Sequence, residues 1–168
     1  MCDERGTYRG NWCGLGEPPR EAVAYGRHAA LAGRDRGYRG FLGVDAGRTA
    51  GGSVYAFDLN YRNNGSTAQV VLRDAIARGW GAPVTRNCVG IAFEGSYGDM
   101  LERLQGFAAR REVLPLLTFD AGRLGPGAGR PCCNLLVAGR SAEAVAAVGA
   151  ALRRAGFEIA LAPGGLAA

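Results

Sequence analysis

The chain has no lysine: the twenty basic residues among its 168 are all arginine, and histidine occurs once, as His28. Nor does it contain a Cys-x-x-Cys pair, and with one histidine this leaves too few nitrogen and sulfur ligands for a structural zinc site, which needs four at recognisable spacing. No metal site is assigned, and the sequence leaves the cofactor unknown. Long apolar runs are also missing; nothing approaches the roughly 20 residues of a membrane-spanning helix, so no membrane association is expected. The first residues, Met1-Cys2-Asp3-Glu4-Arg5, are polar and lead into no apolar stretch, which argues against a secretory signal and for a cytoplasmic protein. Five cysteines in that compartment read as free thiols, not as a disulfide framework.

What is present is glycine, 28 residues of it, with an apolar fraction of 48% and a charged fraction of 21%, the proportions of a globular protein. The net charge of +5 favours acidic partners such as anionic metabolites or nucleic acid. An all-arginine surface offers planar forks that match carboxylates and phosphates, although arginine, alanine and glycine together are also what a GC-rich coding sequence produces.

The chain is organised around one repeated text. Phe41-Leu42-Gly43-Val44-Asp45-Ala46-Gly47-Arg48 is an apolar run ending in an acid, two small residues and a guanidinium. Leu116-Leu117-Thr118-Phe119-Asp120-Ala121-Gly122-Arg123 repeats it, and 120 − 45 = 75 gives the offset. Each run reads as a strand delivering its aspartate to a turn. A Gly-rich tip and a second strand come next in both places, the first being residues 53 to 61, where Tyr55, Phe57, Leu59 and Tyr61 alternate onto one face. Ser66 or Thr67 then starts a helix to about Gly79, and Ser141 starts another; 141 − 66 = 75 keeps the offset. A strand closes each half, Cys88 to Glu94 and Phe157 to Ala162. In the former, Val89, Ile91 and Phe93 are expected on one side and Cys88, Gly90 and Ala92 on the other.

The expected fold is therefore α+β: a single domain with a mixed sheet of about six strands, helices on one face, and pseudo-duplicated β-β-α-β units. Residues 1–16, rich in Gly, Arg and aromatics, form an irregular N-terminal arm, 41–95 the first unit, 96–112 a linking helix opened by Ser96-x-x-Asp99, and 113–163 the second unit. A helix starting after Glu17-Pro18-Pro19 and stopped by Gly33 precedes them, with His28 in its last turn.

If the repeats bring equivalent strand ends together, Asp45 and Asp120 with Arg48 and Arg123 would line one cleft, where neighbouring charges tune a general acid or base. The plain alternative is that each aspartate caps its own turn and pairs with the arginine three residues on. Cys132 and Cys133 are adjacent in a strand and point to opposite faces, so at most one is a nucleophile, with Arg130 as the nearest positive group. Cys88 beside Glu94 is a fainter candidate. Tyr55 and Arg130 join Arg48 and Arg123 as candidate binding residues.

Phe41 to Thr49, leading into a hairpin, resembles the first phosphate-binding strand of the sugar-kinase and actin-like ATPases, whose fold needs two such domains. It is also similar to the opening strand of ribonuclease-H-like nucleases, including Holliday junction resolvases. That likeness implies a divalent metal held by Asp45 and Glu94, but the acidic helix motif that completes the family's site is missing, since the last helix offers only Glu143.

Three functions are expected on these grounds. The first is an enzyme or binding protein for a small polar, anionic molecule, using Asp45, Asp120, Glu94, Cys132 or Cys133 with the arginines. The second is an Arg-rich nucleic-acid-binding or metal-dependent nuclease domain. The third is a non-catalytic subunit of a homo-oligomer, with the aromatic face of residues 55 to 61 as its interface.

Overall fold

Proline and serine set where three of the described helices begin. In the computed structural model, which describes residues 7–125 and 127–159, the elements in chain order are β1 (Trp12–Cys13), α1 (Arg20–Asp35), β2 (Gly43–Arg48), β3 (Val54–Asn60), α2 (Thr67–Trp80), β4 (Val84–Ala92), α3 (Tyr97–Ala109), β5 (Val113–Phe119), a 3-10 turn (Ala121–Leu124), β6 (Cys132–Gly139) and α4 (Ala142–Arg154). α1 starts directly after Pro19. Ser96 and Asp99 form a reciprocal capping box at α3, and Ser141 accepts a bond from the Ala144 N–H at α4. The fold is α+β, and its described strands pair into two antiparallel sheets instead of the one mixed sheet expected.

The chain divides into two compact units, Gly16–Thr67 and the remainder. The larger holds a four-stranded sheet in the order β1-β4-β6-β5. Its run β4-α3-β5-β6-α4, with Phe157 bridging back to Phe93, is the order of a split β-α-β unit. β6 lies inside the sheet and is buried on both sides, which explains its nearly unbroken apolar text. Cys133, Leu135 and Val137 pack with Met100, Leu104 and Phe107 of α3 and Val145 and Leu152 of α4. Leu136 and Ala138 point the other way, onto Ile76 of α2. Helices thus cover both faces, not one, because α2 carries its own apolar stripe to the side that α3 and α4 leave open. Burying a leucine of this kind stabilises by about 1.5–3 kcal/mol.

Two departures in this unit have local causes. The expected alternation of β4 breaks at a bulge between Cys88 and Ile91, so Cys88 joins Ile91 and Phe93 in one core cluster. Gly90 makes the bulge with φ +66, and its N–H donates to Asn134 Oδ1 at 2.9 Å. Within the N-terminal arm, expected to be irregular, Trp12 and Cys13 form a short strand at the sheet edge. Trp12 and Cys13 pair with Arg86 and Thr85, and the Asn87 N–H donates to the Asn11 carbonyl at 2.9 Å. Gly10 is required there, since a Cβ would fall 1.8 Å from the Asn87 carbonyl oxygen. Residues 1–6 of the arm, and the closing strand beyond Ile159, lie outside the described residues.

The smaller unit is α1 with the two-stranded ribbon β2-β3. α1 runs through Gly33 to Asp35, which places His28 about two turns before its end instead of in the last turn. Gly33 serves packing: a Cβ there would lie 2.4 Å from the Tyr61 ring, whose hydroxyl donates to the Ala29 carbonyl at 2.7 Å.

Candidate functional site

The ladders bring several candidate residues to one end of the larger unit's sheet. Ala92 and Phe119 both pair with Cys132, so the C-terminal ends of β4 and β5 flank the start of β6. Strand spacing sets those two ends about 10 Å apart. Glu94 leaves the first of them, Asp120 the second, and Arg130 precedes the strand between. The Phe93 N–H bonds the Pro131 carbonyl at 2.9 Å, and the Glu94 N–H bonds the Gly156 carbonyl at 2.9 Å, which ties these segments to the turn after α4.

At the β4 side lies a cleft of about 410 Å³ lined by Glu94, Arg153, Gly156, Phe157, Glu158 and Ile159. Its floor is apolar, with the Phe157 ring 4.8 Å from that of Phe93. Gly156 has φ +96, and a Cβ there would press on the Phe93 ring at 3.2 Å. Its rim is charged. Arg130 grips Glu158 with two bonds of 2.7 Å each. That fork holds the Glu158 carboxyl below its usual range, and Glu158, with a smaller part from Glu94, raises Arg130. Arg153 is exposed and donates from Nη1 to the Ile159 carbonyl at 3.3 Å.

Elsewhere at this sheet end the candidates are less well placed. Asp120 opens the 3-10 turn but its side chain makes no cap bond, and among the described residues no ion pair joins it to Arg123, which is exposed. Cys133 is fully buried, and burial foremost, with Cys132 and Cys88 nearby, pushes its thiol up to about 12. Burial also pushes Cys88 up to about 11 in spite of the Arg86 charge. Neither supplies appreciable thiolate near neutral pH. Cys132 points to the opposite face and is half-buried. Cys13, Cys88, Cys132 and Cys133 are all free thiols.

Asp45, Arg48 and Tyr55 belong to the smaller unit. Asp45 is not at a strand end: β2 continues to Arg48 past a bulge whose extra residue is Phe57 of β3, which places this acid inside the ladder opposite Asp58. Among the described residues no cluster of three or more His, Cys, Asp or Glu is arranged to hold a metal ion, and no helix is long and apolar enough to cross a membrane. No family model matches the chain.

Several structurally prominent polar residues carry no sequence signal. Glu158 and Arg153 stand far from Arg130 and Glu94 along the chain, and only the sheet joins them. A buried polar set lies on the arm side: Asn11 Nδ2 donates to Gln69 Oε1 at 2.6 Å, and Gln69 Nε2 to Thr85 Oγ1 at 2.9 Å, fastening α2 and the arm to β4. Beside it the buried Arg86 guanidinium sits 5.4 Å above the Trp12 ring.

Proposed function

We propose that the chain is a binding protein for a small polar molecule bearing an anionic group, taken up in the cleft between Glu94 and the turn after α4. The observation that carries this reading is the pairing of an apolar floor, Phe157 and Ile159, with a rim holding the exposed Arg153. The volume of about 410 Å³ suits a metabolite-sized ligand. Arg153 supplies the fork for a carboxylate or phosphate, and Glu94 accepts from hydroxyl or amine groups of the same molecule. Asp120, Arg123 and Cys132, at the same sheet end, extend the polar surface. The raised Cys133 and Cys88 thiols favour binding over covalent catalysis.

A nucleic-acid reading has less support, because Trp12 is engaged with Arg86 within the sheet edge and Arg130 is tied to Glu158. The test is a thermal-shift screen of small carboxylates and phosphate esters on the full chain. A ligand at 100 times its Kd should stabilise by about 2.7 kcal/mol. Arg153→Ala, at an exposed site, should abolish that response without lowering the unliganded Tm. An unchanged response in this variant would sink the proposal, as would a panel that stabilises nothing.

A further inference from the structure

Two acids and two arginines stand about the cleft beside the turn after α4, and only one acid and one arginine satisfy each other. The bridge between Phe93 and Phe157 sets this up. Both rings pack inward, 4.8 Å apart, so the next residue along each segment, Glu94 or Glu158, leaves on the opposite side, and both are exposed. The Glu158 N–H donates to the Ala92 carbonyl at 2.8 Å and the Glu94 N–H to the Gly156 carbonyl at 2.9 Å, which fixes the two acids on adjoining backbones. Glu158 and Arg130 then neutralise each other through their two-bond fork. Glu94 and Arg153 have no such partner. Among the described residues no hydrogen bond or ion pair engages the Glu94 carboxylate, and only the Arg130 charge reaches it from beyond contact. Arg153, in the last turn of α4, makes one bond, to the Ile159 carbonyl, and among the described residues no ion pair. Gly156, opposite Glu94, contributes backbone alone to the lining that these two charged groups share.

We infer that the ligand of this cleft is a free amino acid, its carboxylate on Arg153 and its ammonium on Glu94. The inference rests on the reading of the cleft as an anion site at Arg153, and it narrows the class of ligand. What the rim leaves open is one charge of each sign. A ligand with an anionic group alone would set its charge against Glu94, whereas a zwitterion answers both groups and brings no net charge with it. Each contact is then a charge-assisted hydrogen bond, the stronger kind. An ionised glutamate can only accept, so it gives nothing to a ligand that offers a carbonyl where the ammonium should be, and it is left desolvated and unpaired. Glu94 is thus the group that tells an amino acid from the keto acid of the same shape.

Calorimetric titration of the full chain with a panel of free amino acids tests this, the tightest binder being compared with its own keto acid. The keto acid should bind about tenfold more weakly or worse. Glu94→Gln should weaken the amino acid by about tenfold and leave the keto acid unchanged or tighter, since a like charge is removed. Retained binding of the keto acid also shows that this variant is folded. Arg153→Ala should abolish binding of both. A keto acid that binds as tightly as its amino acid would overturn the inference, and so would a preference for the amino acid that survives Glu94→Gln. Binding of simple carboxylates with no response to any amino acid would overturn it too. In all three cases loss of binding in Arg153→Ala would leave the anion site standing. If Arg153→Ala changes nothing, or if neither amino acids nor carboxylates bind, the anion site falls and the amino-acid assignment falls with it.

Discussion

Asp45-Ala46-Gly47-Arg48 and Asp120-Ala121-Gly122-Arg123 are the same four residues in two conformations. The first copy lies in a ladder, Asp45 opposite Asp58 and Arg48 opposite Val54, with all four residues exposed. The second is wound into a 3-10 turn that buries Ala121 to 6% exposure. The preceding text is alike, so the difference comes from the residues C-terminal to each copy. After Arg48 a short connection closes on itself, the Thr49 N–H bonding the Ser53 carbonyl at 2.9 Å, and the strands pair up to the tip. After Arg123 the chain has farther to travel to Pro131, and Gly125 with φ +124 turns it away from β5. A tetrapeptide shared by chance or descent does not carry its own conformation; its neighbours in space choose one.

The largest expected effect separates the two hairpins to which these copies belong. Leu135 in β6 is fully buried, and Leu135→Ala should destabilise the larger unit by about 2–5 kcal/mol. Phe57→Ala in β3 should change that unit's stability by less than about 0.5 kcal/mol. Denaturant unfolding followed by tryptophan fluorescence reads this directly, since Trp12 and Trp80 both lie in the larger unit. Equal losses would mean that the two hairpins share one cooperative core. A smaller contrast sits inside the repeated text itself. Ala121→Leu should cost about 1–3 kcal/mol by overpacking a buried position. Ala46→Leu, on an exposed ribbon, should stay within about 0.5 kcal/mol. If Ala46→Leu were the more damaging, the assignment of ladder and turn to the two copies would be reversed.

What could be read from the sequence was whatever depends on near neighbours. The Ser96-x-x-Asp99 box and the cap at Ser141 are satisfied within a few residues, and both are found as expected. The alternation from residue 53 to 61 predicts a strand, found as β3 (Val54–Asn60), but not the bulge at Phe57 that interrupts it. What depends on distant partners was not legible. No local pattern shows that Gly90 bulges, because the reason is the Asn134 side chain 44 residues away. Nothing near Trp12 tells that it becomes a strand, because its partner is Arg86. Of the candidate site, Glu94 is legible from its strand end and Arg130 as the positive group beside Cys132, while Glu158 and Arg153 are not, because only the pairing of Phe93 with Phe157 brings them there.

The helix caps sharpen the comparison at about 1 kcal/mol. Ser141→Ala removes the acceptor for the Ala144 N–H and should lower stability by about that amount. Ser66, at the same offset in the first half, should matter less. Before α2 it is Asn64 Oδ1 that accepts, from the Ser66 N–H at 3.0 Å and its hydroxyl at 2.8 Å, so Asn64→Ala should exceed Ser66→Ala. Thermal unfolding of the three variants decides the order, and equal losses at Ser66 and Ser141 would restore the equivalence of the two halves.

The smallest effect concerns acid at the sheet end. The Arg130 fork holds Glu158 below its ordinary value, so in the folded chain this carboxyl keeps its charge to lower pH than in the unfolded chain, where it titrates near about 4.3. Linkage gives the sign: a depressed folded value stabilises above the unfolded value, and the contribution disappears as pH falls through the folded one. Because the pair is exposed and screened, the change in global stability should be slight, and a site-resolved measurement is needed. Carboxyl NMR should show Glu158 titrating below an ordinary glutamate, with Arg130→Ala returning it to the usual range. Salt should reproduce part of that return, since it weakens an exposed ion pair. If the low value survives Arg130→Ala, the fork is not its cause, and the charge balance assigned to the cleft's rim fails with it.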